Sequence, residues 1–275
     1  MADVSKDVIL RALTDIVHKH DVWIIHACES GSRAWGFASK DSDYDVRFIY
    51  VRPPEWYASI DVERRRDVIE LPPDRVLDVS GWDFRKALQL LRKSNPPLLE
   101  HLGSPIVYDE DPEVMREFRE LAKQYYSPAA CAYHYLHMAR GNVREYLRGD
   151  EVWLKKYLYV IRPLLAVKWI EEGFEGQAPT EFSILVDKVV TEIPLYNAIT
   201  VLLRQKAEGL ELGRGPAIPV IDEFIRVELA RLEGSKWAKK PDDIGVKPLN
   251  EFFRKVAVPN MRRPMPPFLA GRFGP

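Results

Sequence analysis

Apolar and polar residues alternate along the first third of the chain, and a 3.6-residue period replaces that alternation after residue 83. This pattern predicts an α+β protein: a small mixed β-sheet followed by an all-helical domain. Residues 4 to 19 read as an amphipathic helix. Val22 to Cys28 reads as a buried strand that ends at Glu29-Ser30-Gly31-Ser32. In the next strand Tyr44, Val46, Phe48 and Tyr50 form one alternating set, so Asp43, Asp45 and Arg47 share the opposite face. Asp67 to Leu71 and Arg75 to Ser80 read as a hairpin joined by a proline turn, with Leu77 and Val79 on one face and Val76, Asp78 and Ser80 on the other. A helix over Phe84 to Arg92 follows, then a domain boundary within 105 to 127. Ser127-Pro128 supplies an N-cap and a first-turn proline for a helix running to Leu147. A second long helix covers 151 to 171, kinked at Pro163, and others are expected near 181 to 190, 195 to 210, 217 to 233 and 247 to 257. These elements give a sheet domain over 1–110, a helical domain over 111–258 and a Pro-rich C-terminal tail over 259–275.

The candidate chemistry lies where strand meets turn. Carboxylates at i and i+2 on one strand face sit close enough to share a divalent ion. Without a cation they repel, which raises the pKa of at least one. Mg²⁺ takes a few carboxylate oxygens and leaves its other positions to water and phosphate. Upstream, Gly31 turns without steric cost and lets backbone N–H groups approach a phosphate, while Ser32 offers a hydroxyl. Asp78 is a charge in an otherwise apolar run, expensive unless paired or metal-bound, so it is the preferred third metal ligand or the general base for the attacking hydroxyl. Asp83 competes with it but is explained by a capping box ahead of the Phe84 helix, and Glu70 and Asp74 read as solvated. Arg33 and Arg47 are the nearby cations, placed either to grip phosphate in pairs of hydrogen bonds or to balance the acidic cluster. Trp35 and Phe37 read as core.

Composition narrows the class further. A chain of 275 residues with 46% apolar content can bury a sizeable core. A formal charge of −1 removes any global basic field for nucleic acid, leaving only local patches. Two distant cysteines, Cys28 and Cys131, exclude a disulfide framework or zinc site and suit a cytoplasmic setting. The N-terminus lacks a signal-peptide pattern, and the most hydrophobic stretch, Val152 to Ile170, holds Lys155, Lys156, Arg162 and Lys168, which excludes a membrane span.

In order and spacing, residues 27 to 46 resemble the DNA polymerase β-like nucleotidyltransferase superfamily: an apolar residue, Gly-Ser, ten residues, then Asp-Tyr-Asp. The words GSRAWGFASKDSDYDVRFIYV, DVSGWDFRKAL and KKYLYVIRPLLAVKWI are similar, more narrowly, to its YcgL/RlaP-like, RNA-repair-associated branch, over roughly residues 20 to 172. The resemblance implies Asp43, Asp45 and Asp78 as ligands of two Mg²⁺ or Mn²⁺ ions, and Gly31 and Ser32 as the cradle of an NTP triphosphate. It also implies that a lysine of the helical domain contacts phosphate. Lys155-Lys156-Tyr157 is the matching cluster, but adjacent helical residues diverge by about 100°, so one lysine faces away. Lys156 is preferred. Tyr157 or Tyr159 is a candidate for base stacking. Arg140, Arg144 and Arg148 form a basic stripe suited to an acceptor's phosphates or to plain solvation, while His134 and His137 lack a carboxylate at ligand spacing. The expected activity is transfer of NMP from an NTP to a hydroxyl with release of pyrophosphate. An RNA 3′ end is the first acceptor; a protein or small-molecule hydroxyl, or a noncatalytic nucleotide-binding module, are the alternatives.

Overall fold

The computed structural model describes residues 4–72, 76–208, 212–237 and 244–258. Helix α1 (Lys6–His20) leads into β1 (Trp23–Glu29), the one-turn helix α2 (Gly31–Ala34) and β2 (Tyr44–Val51). After α3 (Pro54–Tyr57) and a 3-10 turn over Val62–Arg64 come β3 (Val68–Glu70), β4 (Leu77–Asp83), α4 (Phe84–Arg92), α5 (Pro96–Leu102) and β5 (Val107–Glu110). The remainder is α6 (Pro112–Tyr125), α7 (Pro128–Tyr146), β6 (Glu151–Trp153), α8 (Leu154–Glu171), α9 (Phe182–Val189), α10 (Ile193–Ala207), β7 (Arg214–Pro216), α11 (Pro219–Arg231) and α12 (Lys247–Ala257).

Five strands form one mixed sheet in the order β3-β4-β2-β1-β5, with β2 antiparallel to β1 and parallel to β4. The alternation in β2 sorts its side chains cleanly. Val46, Phe48 and Tyr50 join Ile9, Leu13 and Ile16 of α1 in one core, whereas Ile49 and Val51 join the helices in the other. That second core is continuous from Phe84 of α4 to Val256 of α12, so α4 and α5 pack with the helices that follow β5. Ser127 caps α7 as expected, its side chain accepting from the Ala130 amide at 3.3 Å, and α8 runs unbroken through Pro163.

Two differences from the sequence reading have local causes. The segment expected to hold the domain boundary, 105 to 127, carries the edge strand β5 and the amphipathic helix α6, which begins at a Pro after its Asp111 cap. Residues 151 to 153 form a strand before α8 begins, pairing with Arg214–Pro216, so the helical half also carries a two-stranded ribbon. Residues 259–275, the expected tail, and the turn residues 73–75 of the β3-β4 hairpin lie outside the described residues.

Candidate active site

Three pieces of chain meet at one end of the sheet because of its topology. Antiparallel pairing brings the end of β1 beside the start of β2, with Glu29 opposite Val46, and parallel pairing brings the start of β4 to the same place, with Asp78 opposite Asp45. The turn after β1 is tied to β2 through both backbone groups of Asp45: its carbonyl accepts from the Ser30 amide at 2.8 Å, and its amide donates to Glu29 Oε1 at 2.8 Å. Glu29 is itself fully buried, and Tyr108 of β5 donates its hydroxyl to the other carboxylate oxygen. Burial raises the Glu29 pKa against the pull of these hydrogen bonds. Gly31 has φ 58°, and a Cβ built there would stand 2.0 Å from Asp45 Oδ2, so the turn lies directly against the carboxylate. Among the described residues, no hydrogen bond engages the amides of Gly31, Ser32 or Arg33, which are the unpaired donors of a helix start.

Asp45 and Asp78 are joined by Arg47. Its Nη2 donates to Asp45 Oδ1 at 3.1 Å and to Asp78 Oδ2 at 2.8 Å, and its Nη1 donates to the carbonyls of Val46 and Asp78, both at 3.1 Å. The Asp45 pKa is raised, first by burial; Arg47 opposes the shift, and the charges of Asp78 and Asp43 add to it. Asp43 is exposed just before β2. Among the described residues, no three His, Cys, Asp or Glu side chains are gathered closely enough to hold an ion. The donor set still suits a hard divalent cation: Arg47 occupies one oxygen each of Asp45 and Asp78 and leaves the other, and the desolvated Asp45 charge favours a positive neighbour.

Both arginines depart from the phosphate-binding reading. The Arg33 Nε donates to the Asp43 carbonyl at 3.2 Å and its Nη2 to the Ser42 carbonyl at 2.8 Å, while the guanidinium lies 3.6 Å over the Tyr44 ring. Its role is to hold the loop that delivers Asp43. Arg47 is the counter-ion of the carboxylate pair, with four acceptors already met. Asp83 acts as a cap, accepting from the Arg85 amide at 2.9 Å and from the Tyr57 hydroxyl at 3.0 Å; burial lifts its pKa to about 6. Glu70 pairs with Arg66, and Asp74 lies outside the described residues.

On the helical side, Lys155 is exposed and Lys156 half-buried, its ammonium 4.1 Å from the Tyr146 ring centre and 4.8 Å from that of Tyr159. Burial lowers the Lys156 pKa. Tyr159 meets the Trp35 ring edge-on at 5.2 Å, so this face of α8 packs against the end of α2; burial raises the Tyr159 pKa, and the charges of Asp45 and Asp43 add to the shift. Tyr157 points elsewhere: it is fully buried, donates to Asp222 Oδ1 at 2.7 Å and accepts from the Ile218 amide at 3.1 Å. The reading of Tyr157 as a nucleotide contact is therefore corrected; its hydroxyl ties the start of α11 to α8. Arg140 and Arg144 of α7, and Arg148 just beyond it, are exposed and have no ion pair among the described residues. His134 is half-buried, with its pKa lowered by burial, and His137 is exposed.

Two groups escaped the sequence reading. Glu29 was visible as a lone charge ending an apolar strand. Lys206 was visible as a cation on the apolar stripe of α10, four residues after Leu202 and seven after Ile199. Its residue is 9% exposed and its ammonium lies 4.8 Å from the Phe37 ring centre. It meets no hydrogen-bond or ion-pair partner among the described residues, and burial, helped by the charge of Lys155, lowers its pKa to about 8. The Phe37 amide in turn donates to the Ser32 carbonyl at 3.0 Å, so Phe37 links Lys206 to the Gly31-Ser32 turn.

A mixed sheet whose central strand carries Asp-Tyr-Asp behind a Gly-Ser turn, completed by helices, is the architecture of a polymerase β-like nucleotidyltransferase, a phosphorus-group transferase. The model of RlaP, described as the RNA repair pathway DNA polymerase beta family, matches residues 5–255, and the chain belongs to that family. The uncharacterized protein YcgL of Bacillus subtilis (strain 168) is 49% identical over 236 residues, which is 85% of this chain and 89% of that protein. A nucleotidyltransferase-like protein from Exiguobacterium sibiricum 255-15, known from a crystal structure, is 10% identical with a TM-score of 0.30 over 90% of this chain and 80% of its own. No helix among the described residues is long and apolar enough to cross a membrane.

Proposed function

We propose that this protein transfers a nucleoside monophosphate from an NTP to the 3′ hydroxyl of an RNA, releasing pyrophosphate. The observation that carries the reading is the in-register Asp45–Asp78 pair, with Gly31 pressed against one of its carboxylates. The acceptor oxygen attacks the α-phosphorus, the bond between the α-phosphorus and the bridging oxygen breaks, and the electron pair leaves with pyrophosphate. The acceptor's proton goes to Asp78, directly or through water. Asp43, Asp45 and Asp78 would hold the divalent ions, Mg²⁺ or Mn²⁺, which supply acidity at the acceptor and neutralise charge on the leaving group. The free amides of Gly31, Ser32 and Arg33 and the Ser32 hydroxyl cradle the phosphates from the sheet side. Lys156 and Lys206 meet them from the helical side, fixing the chain in line for attack. RNA as acceptor is supported by the family's name, with the exposed arginines of α7 as candidate phosphate contacts. The buried free thiols Cys28 and Cys131 support a cytoplasmic placement.

The test is incubation with each α-labelled NTP and Mg²⁺ or Mn²⁺, offering short RNA, short DNA and cell protein, with the Asp43→Ala/Asp45→Ala protein as control. Label on RNA that the double variant fails to add supports the reading. Label on protein moves the acceptor to a protein hydroxyl, and NTP binding with no transfer to any acceptor overturns the RNA assignment. The Asp78→Asn protein is expected to bind NTP and transfer nothing.

A further inference from the structure

We infer that Glu100 and Arg162 are positioning residues for nucleotide transfer, acting through Trp35 to set the Gly31–Ser32 turn against the lysine face of α8. The inference rests on the proposed function and deepens it. A helix of four residues cannot hold itself in place, since one turn fixes several dihedrals for a single hydrogen bond. Neighbours must therefore locate α2, and the residue that ends it is Trp35.

The half-buried Trp35 is held by four groups of the helical half. Its Nε1 donates to Glu100 Oε2 at 3.2 Å, its ring lies 4.6 Å below the Arg162 guanidinium and meets the Tyr159 ring edge-on at 5.2 Å, and its carbonyl accepts from the Phe182 amide at 2.9 Å. Behind it lies a fully buried polar network. Glu100 Oε1 accepts from Arg162 Nη1 at 2.8 Å and from the Tyr135 hydroxyl at 3.0 Å, and Arg162 Nη2 donates to the Thr180 carbonyl at 3.2 Å. Arg162 is 1% exposed and Glu100 8%. As fold glue this is a poor choice, because an apolar cluster of equal volume is commonly as stable as a buried ion pair. What the pair adds is direction: a fixed carboxylate oxygen that admits one orientation of the indole. Tyr159, which touches Trp35, lies three residues after Lys156 on the same face of α8. The indole thus registers the phosphate turn against the lysine.

The network provides its own control, because Tyr135 and Trp35 each give one hydrogen bond to Glu100 but only Trp35 reaches the turn. Trp35→Phe and Tyr135→Phe are compared in thermal unfolding, calorimetric titration with each Mg·NTP, transfer kinetics and amide exchange of residues 31 to 34. Each variant removes one hydrogen bond to Glu100, and Trp35→Phe is expected to lose more stability because it also removes indole volume packed against Arg162 and Tyr159. Trp35→Phe is expected to weaken NTP affinity and lower kcat/KM about tenfold and to speed exchange in α2, while Tyr135→Phe leaves all three near wild type. Trp35→His, which restores a ring N–H donor, is expected to recover part of the loss. Equal behaviour of the two Phe variants, in affinity or in α2 exchange, overturns the inference alone. A wild-type protein that binds no Mg·NTP overturns the proposed function as well. Should Trp35→Phe fail to fold, the Trp35→His protein and amide exchange in Tyr135→Phe carry the same comparison.

Discussion

The closest contact in the site predicts the outcome of replacing Gly31 with alanine. At φ 58° an L-residue costs roughly 1–2 kcal/mol. The new methyl would also stand 2.0 Å from Asp45 Oδ2 and 2.9 Å from its Cγ. Heavy atoms rest at about 3.5 Å, so the carboxylate must retreat by about 1.5 Å. Forced overpacking of this kind costs about 1–3 kcal/mol, which brings the total to about 2–5 kcal/mol. A misplacement of about 1 Å costs a catalytic site about a hundredfold, so kcat/KM should fall by at least that much. The assay is a double-mutant cycle in urea over wild type, Gly31→Ala, Asp45→Ala and the double variant. In the Asp45→Ala background the clash disappears and only the backbone cost remains, so the coupling energy should be about 1–3 kcal/mol. A cycle additive to within about 0.5 kcal/mol, or a Gly31→Ala protein with wild-type transfer, refutes the packing of the turn against Asp45.

Three further outcomes are expected. Lys206, with its pKa lowered to about 8, is charged at pH 7 and largely neutral at pH 9, so NTP affinity should fall about tenfold between them, and Lys206→Met should be weaker and flat with pH. Folding stability should respond with the opposite sign: Lys206 is charged below about pH 8 in the folded state and below about 10.5 in the unfolded, so its contribution rises with pH between these values. Asp83, raised from 3.8 to about 6, takes up its proton in the folded state first, so its contribution to stability falls as pH rises through that window. Asp83→Asn keeps the cap and should retain transfer while losing that slope in calorimetric scans, and loss of transfer would favour Asp83 over Asp78 as the third carboxylate. Tyr157→Phe removes the bonds to Asp222 and the Ile218 amide and should cost about 1–2 kcal/mol in denaturant unfolding, with NTP titrations unchanged.

Strand periodicity made Asp43, Asp45 and Asp78 legible, because a period of two assigns faces without knowledge of partners. The same rule could not reveal that Arg47 bridges Asp45 and Asp78: that depends on β2 and β4 pairing in parallel across 33 residues of sequence, a register no local pattern encodes. Tyr157 was misplaced for a different reason. From Tyr157 to Val167 α8 is buried at every position except Tyr159, so its sequence has no polar side from which to read a direction. Lys206 shows the reverse case, in which the apolar stripe of α10 was readable but lies far along the chain from the turn it approaches.

The distribution of spare charge explains why the site needs two halves. On the sheet side both arginines are committed, Arg33 to the loop carbonyls and Arg47 to the carboxylate pair, so that surface presents amides and negative charge. Among the described residues, Lys155, Lys156 and Lys206 have no carboxylate partner, and they come from α8 and α10. A polyphosphate can satisfy neither surface alone: against the sheet its charge meets Asp43 and Asp45, and against the helices it has no amide cradle. In the proposed function it is held between them, neutralising the lysines while its α-phosphorus lies at the carboxylates. Affinity then depends on the spacing of the two surfaces more than on any single contact. Two kinds of substitution should therefore be separable: those that alter a surface, such as Lys206→Met, and those that alter the spacing, such as Trp35→Phe. The first should weaken NTP binding in proportion to charge at every pH below 8, and the second should weaken it without changing the pH profile.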